Sequence, residues 1–579
     1  MIFSYHSKIK YVVLLCLAGY GFSHPFSSAY AAVTSPAQAT AEGTVNPSRV
    51  GESFIAPTQQ PTRSARAPSI QAPSESQPLI EGAEKIKLTL NKVIISGNTV
   101  YSSAELQAIF LPYYHQEITL AKLLVLVDNL TNKYRNDGYI LSKAYLPPQE
   151  IKEGVVQVNV IEGYIAKVEV TGQPQWVDPI VLKYGKRVQN VIPLKMADLE
   201  HYMLIMNDLP GTDVKSVLVP SKTKVGAADL NLVTEFKVLQ GYLAYDNFSS
   251  RYLGPREVTL GAQINSLLFS GDTNLLRAIT STQTREMKYF QFTHDQAAGS
   301  SGARVNIGGY YTQTAPGSSL ESLDVVGRSK YVYLGANYPI IRSRTKNLTL
   351  QGTFNYSNTV STILAAPFYN DRVRYLNLSG QFERSDSWRG INLFGLGVQR
   401  GLDILNASTS GDLSRPDGRA NYTLFNVNVM RLQGIVNHLS VLVAGQGQTS
   451  LVPLLSGQQF GFGGPDYGRA YDPSEIVGDR GLAGKVELRV DANPEWFLLK
   501  STQFYIFYDI GAVWNIDTTN QAAKVSASDA GYGVRFTILK NVNGNLYMAK
   551  PLTKTIASLV AVGQTGRGPR GFFSINLNF

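Results

Sequence analysis

From residue 239 to the end of the chain, apolar and polar residues alternate with a period of two in segments of about ten, the length of a tilted membrane strand. Clear cases are 258–268, 329–338, 348–356, 373–382 and 422–430. Turn signals between such segments divide the region into sixteen strands, starting near 241, 255, 273, 287, 302, 328, 347, 372, 390, 420, 437, 481, 503, 526, 543 and 571. The 341 residues of this region give about 21 per strand plus connection, which suits tilted strands of about 9–11 residues. Connections after even strands are mostly short (269–273, 341–347, 432–437), and those after odd strands are often long (314–328, 402–421, 451–480, 553–570). This asymmetry predicts a transmembrane antiparallel β-barrel of sixteen strands, with long outer loops, short periplasmic turns and both ends on the periplasmic side.

Before residue 239 the pattern changes period. A strand over 88–95 stops at Gly97-Asn98, and Ser102 with Glu105 predicts a capped helix start. Leu120, Leu123, Leu124, Val127 and Leu130 form the stripe of a second helix up to Tyr134, and strands over 140–146 and 155–161 follow. A second unit has a strand over 165–170, a helix over 196–206 and strands over 214–219 and 229–236. Two small α+β modules in tandem, 87–162 and 163–238, therefore precede a barrel over 239–579. Residues 32–86, rich in Ala, Pro, Ser, Thr and Gln, predict a linker. A short helix is possible at Asn46-Pro47, where Asn caps and Pro fits the first turn, although Gly51 weakens it.

Composition narrows the class. The longest apolar run, 11–22, is too short for a membrane helix, which needs about 20 residues. Lys8 and Lys10 before that run, with Ala29-Tyr30-Ala31 after it, predict a secretory signal peptide over 1–31. The single cysteine, Cys16, goes with it. Residues 239–579 carry 31 Lys+Arg against 23 Asp+Glu, while 32–238 carry 20 of each, so the excess positive charge belongs to the barrel. Loops against anionic headgroups, or a hydrated lumen, account for it. No basic stripe with interleaved aromatics points to nucleic acid. His115, His201, His294 and His438 lack metal-ligand spacing, and the string Gly463–Gly468 followed by Arg469 lacks the Lys and Ser/Thr of a phosphate loop. We expect no catalytic centre, no metal and no cofactor.

Several motifs carry a resemblance. Tyr134-Arg135-Asn136-Asp137-Gly138-Tyr139-Ile140, then Ala144-Tyr145-Leu146-Pro147-Pro148-Gln149 and Gly154, resemble the first polypeptide-transport-associated (POTRA) module of two-partner-secretion transporters, the haemolysin secretion/activation family. Asn207-Asp208-Leu209-Pro210-Gly211 and Leu218-Val219-Pro220 with Gly226 resemble the second module, and Asp246-Asn247 with Ser249 to Tyr252 and Gly254 the entry to the barrel. Gly468-Arg469-Ala470-Tyr471, with Gly478-Asp479-Arg480-Gly481, resembles the family's sixth extracellular loop, and Phe507-Tyr508-Asp509-Ile510-Gly511 its partner on strand 13. The usual tip is Arg-Gly-aromatic; Ala470 departs from it. The chain's last residues, ending on Phe579, resemble the C-terminal signal of outer-membrane barrels.

The resemblance implies a monomeric pore in a Gram-negative outer-membrane bilayer, with its POTRA modules in the periplasm. Its partner is a cognate secreted exoprotein with an N-terminal secretion domain, exported without nucleotide hydrolysis. Arg469, Tyr471, Phe507, Asp509 and Gly511 would form a lock between loop and lumen wall, since an Arg sent down the lumen finds an Asp there. Phe507, Asp509 and Gly511 share one strand face. Tyr139, Pro147, Pro148 and Gln149 are the substrate-recognition candidates, beside a strand edge that can accept an extended chain. A barrel lipase fails to explain two POTRA modules. An outer-membrane assembly insertase of the same superfamily is the alternative, although such proteins typically carry more POTRA modules and lack the Pro-Pro-Gln signature.

Overall fold

The computed structural model describes residues 43–55, 70–71, 82–173, 175–492, 499–516 and 522–579. The expected signal peptide and most of the expected linker lie outside these residues. The described chain divides into two compact units, one holding the two small modules and the other the barrel with residues 43–55.

In the first module, Val155–Ile161 is the central strand, parallel to Lys92–Ser96 and antiparallel to the short Lys143–Tyr145. The strand expected over 88–95 is instead two, Lys87–Leu90 and Lys92–Ser96, because the first pairs with Gln116–Thr119 while the second belongs to the central sheet. One apolar run thus serves two sheets, which periodicity cannot reveal. The helix Leu120–Asn136 buries Leu123, Leu126, Val127, Leu130 and Tyr134. It ends in the Tyr134–Tyr139 motif, where Gly138 takes a left-handed φ of +93°. Gly138 N–H donates to Arg135 O and Tyr139 N–H to Tyr134 O, the paired bonds that close a helix on a left-handed residue.

The second module has the sheet order Ile70–Gln71, Thr212–Pro220, Ala227–Phe236, Tyr164–Gln173, backed by helices Asp178–Gly185 and Met196–Asn207. Two of these elements are absent from the sequence reading. Asp178–Gly185 is short and carries Pro in its first turn. Ile70–Gln71, expected as linker, joins the edge of Thr212–Pro220 through main-chain pairing, which needs no side-chain pattern.

The barrel closes with sixteen antiparallel strands: β1 (Leu239–Asp246), β2 (Glu257–Asn265), β3 (Asp272–Ser281), β4 (Met287–Ala298), β5 (Ala303–Thr314), β6 (Val326–Arg342), β7 (Lys346–Ile363), β8 (Ala366–Ser385), β9 (Gly390–Gly401), β10 (Thr423–Val436), β11 (Leu439–Ser450), β12 (Arg480–Ala492), β13 (Leu499–Trp514), β14 (Lys524–Ile538), β15 (Val542–Pro551) and β16 (Arg570–Asn578). Each neighbours the next, and β16 pairs back to β1 over Tyr242–Asp246 against Asn578–Ser574. Alternation sorts the side chains: Phe290, Leu334, Leu378 and Ile506 are exposed on the outer, lipid-facing wall, while Tyr289, Tyr333, Asn377 and Phe507 are their inward-side chain neighbours. One rim carries short turns; the other carries the long connections 402–422, 451–479 and 552–569.

Candidate lumen lock, plug and groove

The helix suspected at Asn46-Pro47 exists. Helix α1 (Pro47–Ile55) begins where Asn46 Oδ1 accepts from Ser48 N–H at 3.0 Å and from Ser48 Oγ at 2.8 Å. It packs in the lumen. Tyr310 Oη donates to Ser48 O at 3.2 Å, and Thr314 Oγ1 to Val45 O at 3.2 Å. Arg277 on β3 donates to Phe54 O at 2.7 Å, placing a cation at the helix C-terminus. Gly51, a weakness on propensity alone, is the point of closest approach: a Cβ there would lie 2.2 Å from the Tyr310 ring. Arg49 ties α1 to the long loop 451–479, donating to Ser456 O, Gln459 O and Ser474 Oγ.

That loop folds inward between β11 and β12, its stem an antiparallel pair of Phe460–Phe462 with Ile476–Gly478. Its tip meets the barrel wall. Arg469 is 4% exposed and Asp509 fully buried. The guanidinium forks onto Asp509, Nε to Oδ2 at 2.9 Å and Nη2 to Oδ1 at 2.8 Å. Gly468 and Arg469 main-chain N–H groups both donate to the same Oδ2 at 3.1 Å. The Arg469 guanidinium also lies 3.5 Å from the Phe507 ring centroid. Tyr471 Oη donates to Ser528 O at 2.9 Å.

Gly511 makes room, since a Cβ there would stand 2.2 Å from the ring of Phe462 in the loop stem. The five expected lock residues therefore converge. Ala470 is accommodated because the left-handed position of the turn is Gly468, φ +83°, one residue before Arg469. The Ala470 methyl is buried against Tyr505, Phe507, Tyr547 and Phe572.

The ion-pair cluster around Arg469 extends beyond the quoted motifs. Arg469 Nη1 donates to Glu487 Oε2 at 2.5 Å, and Glu487 Oε1 accepts from Arg489 and Arg535, each at 2.7 Å. The signal was present, because Lys485, Glu487 and Arg489 alternate with Val486, Leu488 and Val490 on β12 and so share the inner face. Further out, Asp479 holds three loops together: it accepts from Arg415 Nη1 at 2.5 Å, Leu454 N–H at 2.8 Å and Ile516 N–H at 2.9 Å. No local pattern announces a partner so distant in the chain as Arg415.

An open groove of about 2060 Å³, lined mostly by the first module with Val225 and Gly226 of the second, passes the helix Leu120–Asn136 and the segment 143–149. Leu120 and Leu124, the half-exposed members of the predicted stripe, line it with Asp128, Arg135, Pro147 and Pro148. Gln149 also lines it, and its side-chain amide pairs with Gln157 N–H and O, both at 2.8 Å, like one more rung of the ladder. Tyr139 does not join them: it is 8% exposed and packs on Tyr134 at 6.0 Å in the core. Thr131 Oγ1 accepts from Ala144 N–H at 2.9 Å, covering the outer edge of Lys143–Tyr145. Among the described residues, no group of three or more His, Cys, Asp and Glu stands in metal-holding geometry.

Comparisons with known proteins fit this arrangement. The family model described as haemolysin secretion/activation protein ShlB/FhaC/HecB matches residues 226–536, and the ShlB-type POTRA domain matches 88–163. The heme/hemopexin transporter protein HuxB of Haemophilus influenzae (strain 86-028NP) is 24% identical over 487 residues, covering 82% of this chain and 85% of HuxB. The outer membrane transporter CdiB of Dickeya dadantii (strain 3937) is 23% identical over 464 residues, 77% of this chain and 79% of that protein. The solved structure of CdiB from Escherichia coli aligns with a TM-score of 0.68 at 17% identity, covering 88% of this chain and 94% of that one.

Proposed function

The chain belongs to the haemolysin secretion/activation protein family ShlB/FhaC/HecB, and from that membership we propose how its parts divide the work of moving a secreted protein across the outer membrane. The barrel is the outer-membrane transporter, and the POTRA modules stand in the periplasm. The groove beside Pro147, Pro148 and Gln149 takes an extended segment of a cognate exoprotein through its N-terminal secretion domain. Strand addition there exchanges the Thr131 contact on Ala144 for main-chain bonds to the client. The transporter works as a monomer, without catalysis and without nucleotide.

One observation carries this reading. Among the described residues, α1 and the loop 451–479 both lie in the lumen, and neither belongs to the strand ladder of the barrel. Both can leave without breaking a strand pair, so the closed pore is a state of side-chain contacts.

A disulfide tests it. At Gly457 a Cβ would lie 3.4 Å from Ser48 Cβ, close to the roughly 3.5–4.5 Å that a disulfide spans. The only native cysteine is Cys16. Ser48→Cys with Gly457→Cys staples α1 to the loop; export of the secreted protein lost on gene deletion is expected to stop under oxidation and resume on reduction. Undiminished export by the oxidised, cross-linked chain would refute the reading. General depletion of other barrels on gene deletion, with no secreted protein lost, would favour an insertase.

A further inference from the structure

The lumen has two unlike walls. On β12, β13 and β14 it is ionic, carrying Lys485, Glu487, Arg489, Asp509 and Arg535. On the opposite arc, in the half nearer the long loops, it is built of tyrosine: Tyr289 on β4, Tyr310 on β5, Tyr331 on β6, Tyr375 on β8 and Tyr422 just ahead of β10. Ring centroids are 5.5 Å apart for Tyr289 and Tyr310, 4.8 Å for Tyr310 and Tyr331, and 6.4 Å for Tyr375 and Tyr422. At β7 the arc is carried across by Asn355, which accepts from Tyr331 Oη at 2.8 Å and donates to Tyr375 O at 3.2 Å.

What this wall holds shows what it recognises. Val45, Val50 and Phe54 of the plug segment pack on the arc, with the Phe54 ring 5.1 Å from that of Tyr289. Tyr310 donates to a main-chain carbonyl, Ser48 O. Apolar side chains and peptide carbonyls are what any unfolded polypeptide offers, whatever its sequence. We infer that the tyrosine arc, once α1 has left, is the track for the exported chain, taking its uncharged, apolar-bearing stretches in extended form; this rests on the export reading above.

The magnitudes suit a track. An aromatic contact contributes about 0.5–1.5 kcal/mol, weak enough to release. Rings on neighbouring strands stand 5.5 Å and 4.8 Å apart, closer than the roughly 6.8 Å between same-face side chains of an extended chain, so a chain crossing this level of the wall can touch more than one ring at once. Passage along the ionic wall would instead have to break buried, hydrogen-bonded ion pairs.

The test uses the chain lacking residues 43–55 in planar bilayers. The probe is an uncharged peptide of about thirty residues, roughly 100 Å when extended, with Val or Phe at every third position among Ser and Gly. A peptide of the same length with Glu at those positions is the comparison. Expected is a longer current blockade by the apolar probe, shortened about tenfold by Tyr310→Ala with Tyr331→Ala. Phe290→Ala, on the outer face of β4, leaves the dwell time unchanged. Should the double alanine chain fail to form a heat-modifiable barrel, Tyr310→Leu with Tyr331→Leu keeps apolar volume while removing the rings and is expected to shorten the blockade likewise. Equal dwell times for the two peptides, or dwell times indifferent to the tyrosines in a folded barrel, overturn the inference. The export reading is judged separately by the appearance of the secreted protein outside the cell, so either can fail alone.

Discussion

Asp509→Ala removes the acceptor of four hydrogen bonds, two from the Arg469 side chain and two from the main chain of Gly468 and Arg469. The guanidinium is left buried with Glu487, whose carboxylate already serves Arg489 and Arg535. Breaking a buried pair by deleting one partner costs about 3–5 kcal/mol. Both side chains are almost fully inaccessible, so solvent screening takes little from that figure. The strand ladder is untouched, because residue 509 still pairs through its main chain with Lys485 and Asp529. The whole cost therefore falls on the seated loop. At about 1.4 kcal/mol per factor of ten, the ratio of seated to released loop falls by roughly two to three orders of magnitude. Bilayer recordings are expected to show a higher open fraction, and external protease to cleave near Arg469, while heat-modifiable mobility stays that of the parent barrel. Secretion is expected to be lost as well. Unchanged open fraction and protease protection would refute the claim that this carboxylate holds the loop.

Gly51→Leu should unseat α1, since its Cβ alone would meet the Tyr310 ring at 2.2 Å, and the expected readout is increased resting conductance. Gly511→Val drives Phe462 from the wall and should mimic Asp509→Ala in conductance. Asp479→Ala unties Arg415, Leu454 and Ile516 and should speed external proteolysis of 402–422 and 451–479 together. In the first module, burial works to raise the Glu162 pKa, but bonds from Thr99, Val100 and Tyr134 outweigh it and hold the carboxyl below its usual range. Its folded value being the lower, it stabilises the module above the ordinary glutamate pKa, and that contribution fades as pH falls through the folded value. Pepsin nicking of the full-length protein within 87–162 should rise only once the pH falls below the ordinary glutamate value of about 4.3, and Glu162→Gln should raise trypsin nicking already at neutral pH.

The barrel was legible because a closed sheet between lipid and water imposes one period on every strand, and all sixteen predicted starts correspond to strands. The lock was legible for a different reason: its Arg and Asp sit in short motifs, one at a loop tip and one on a strand face. Glu487, Arg489 and Arg535 escaped because alternation tells which way a side chain points but not what it meets. Asp479 stood inside a quoted motif, yet its tie to Arg415 is set by how two loops fold over the mouth. The Ile70–Gln71 strand left no trace at all, because main-chain pairing needs no side-chain pattern. Gly51 was misjudged on helix propensity, which knows nothing of the ring it faces.

The seam between β1 and β16 closes the sheet completely: past the last paired strand residues, Gly241 and Phe579 exchange both main-chain bonds at 2.9 Å. A sheet without edges offers no template. Inside this pore a passing chain finds side chains and no open ladder, so nothing in the wall can nucleate β-structure in its cargo. Among the described residues, the open strand edges outside the loop stem Phe460–Phe462 with Ile476–Gly478 lie in the periplasmic modules, where Thr131 and the 70–71 segment already cover two of them. Once past those modules, cargo meets no strand edge of the barrel wall on which to extend a sheet until it reaches the outer rim.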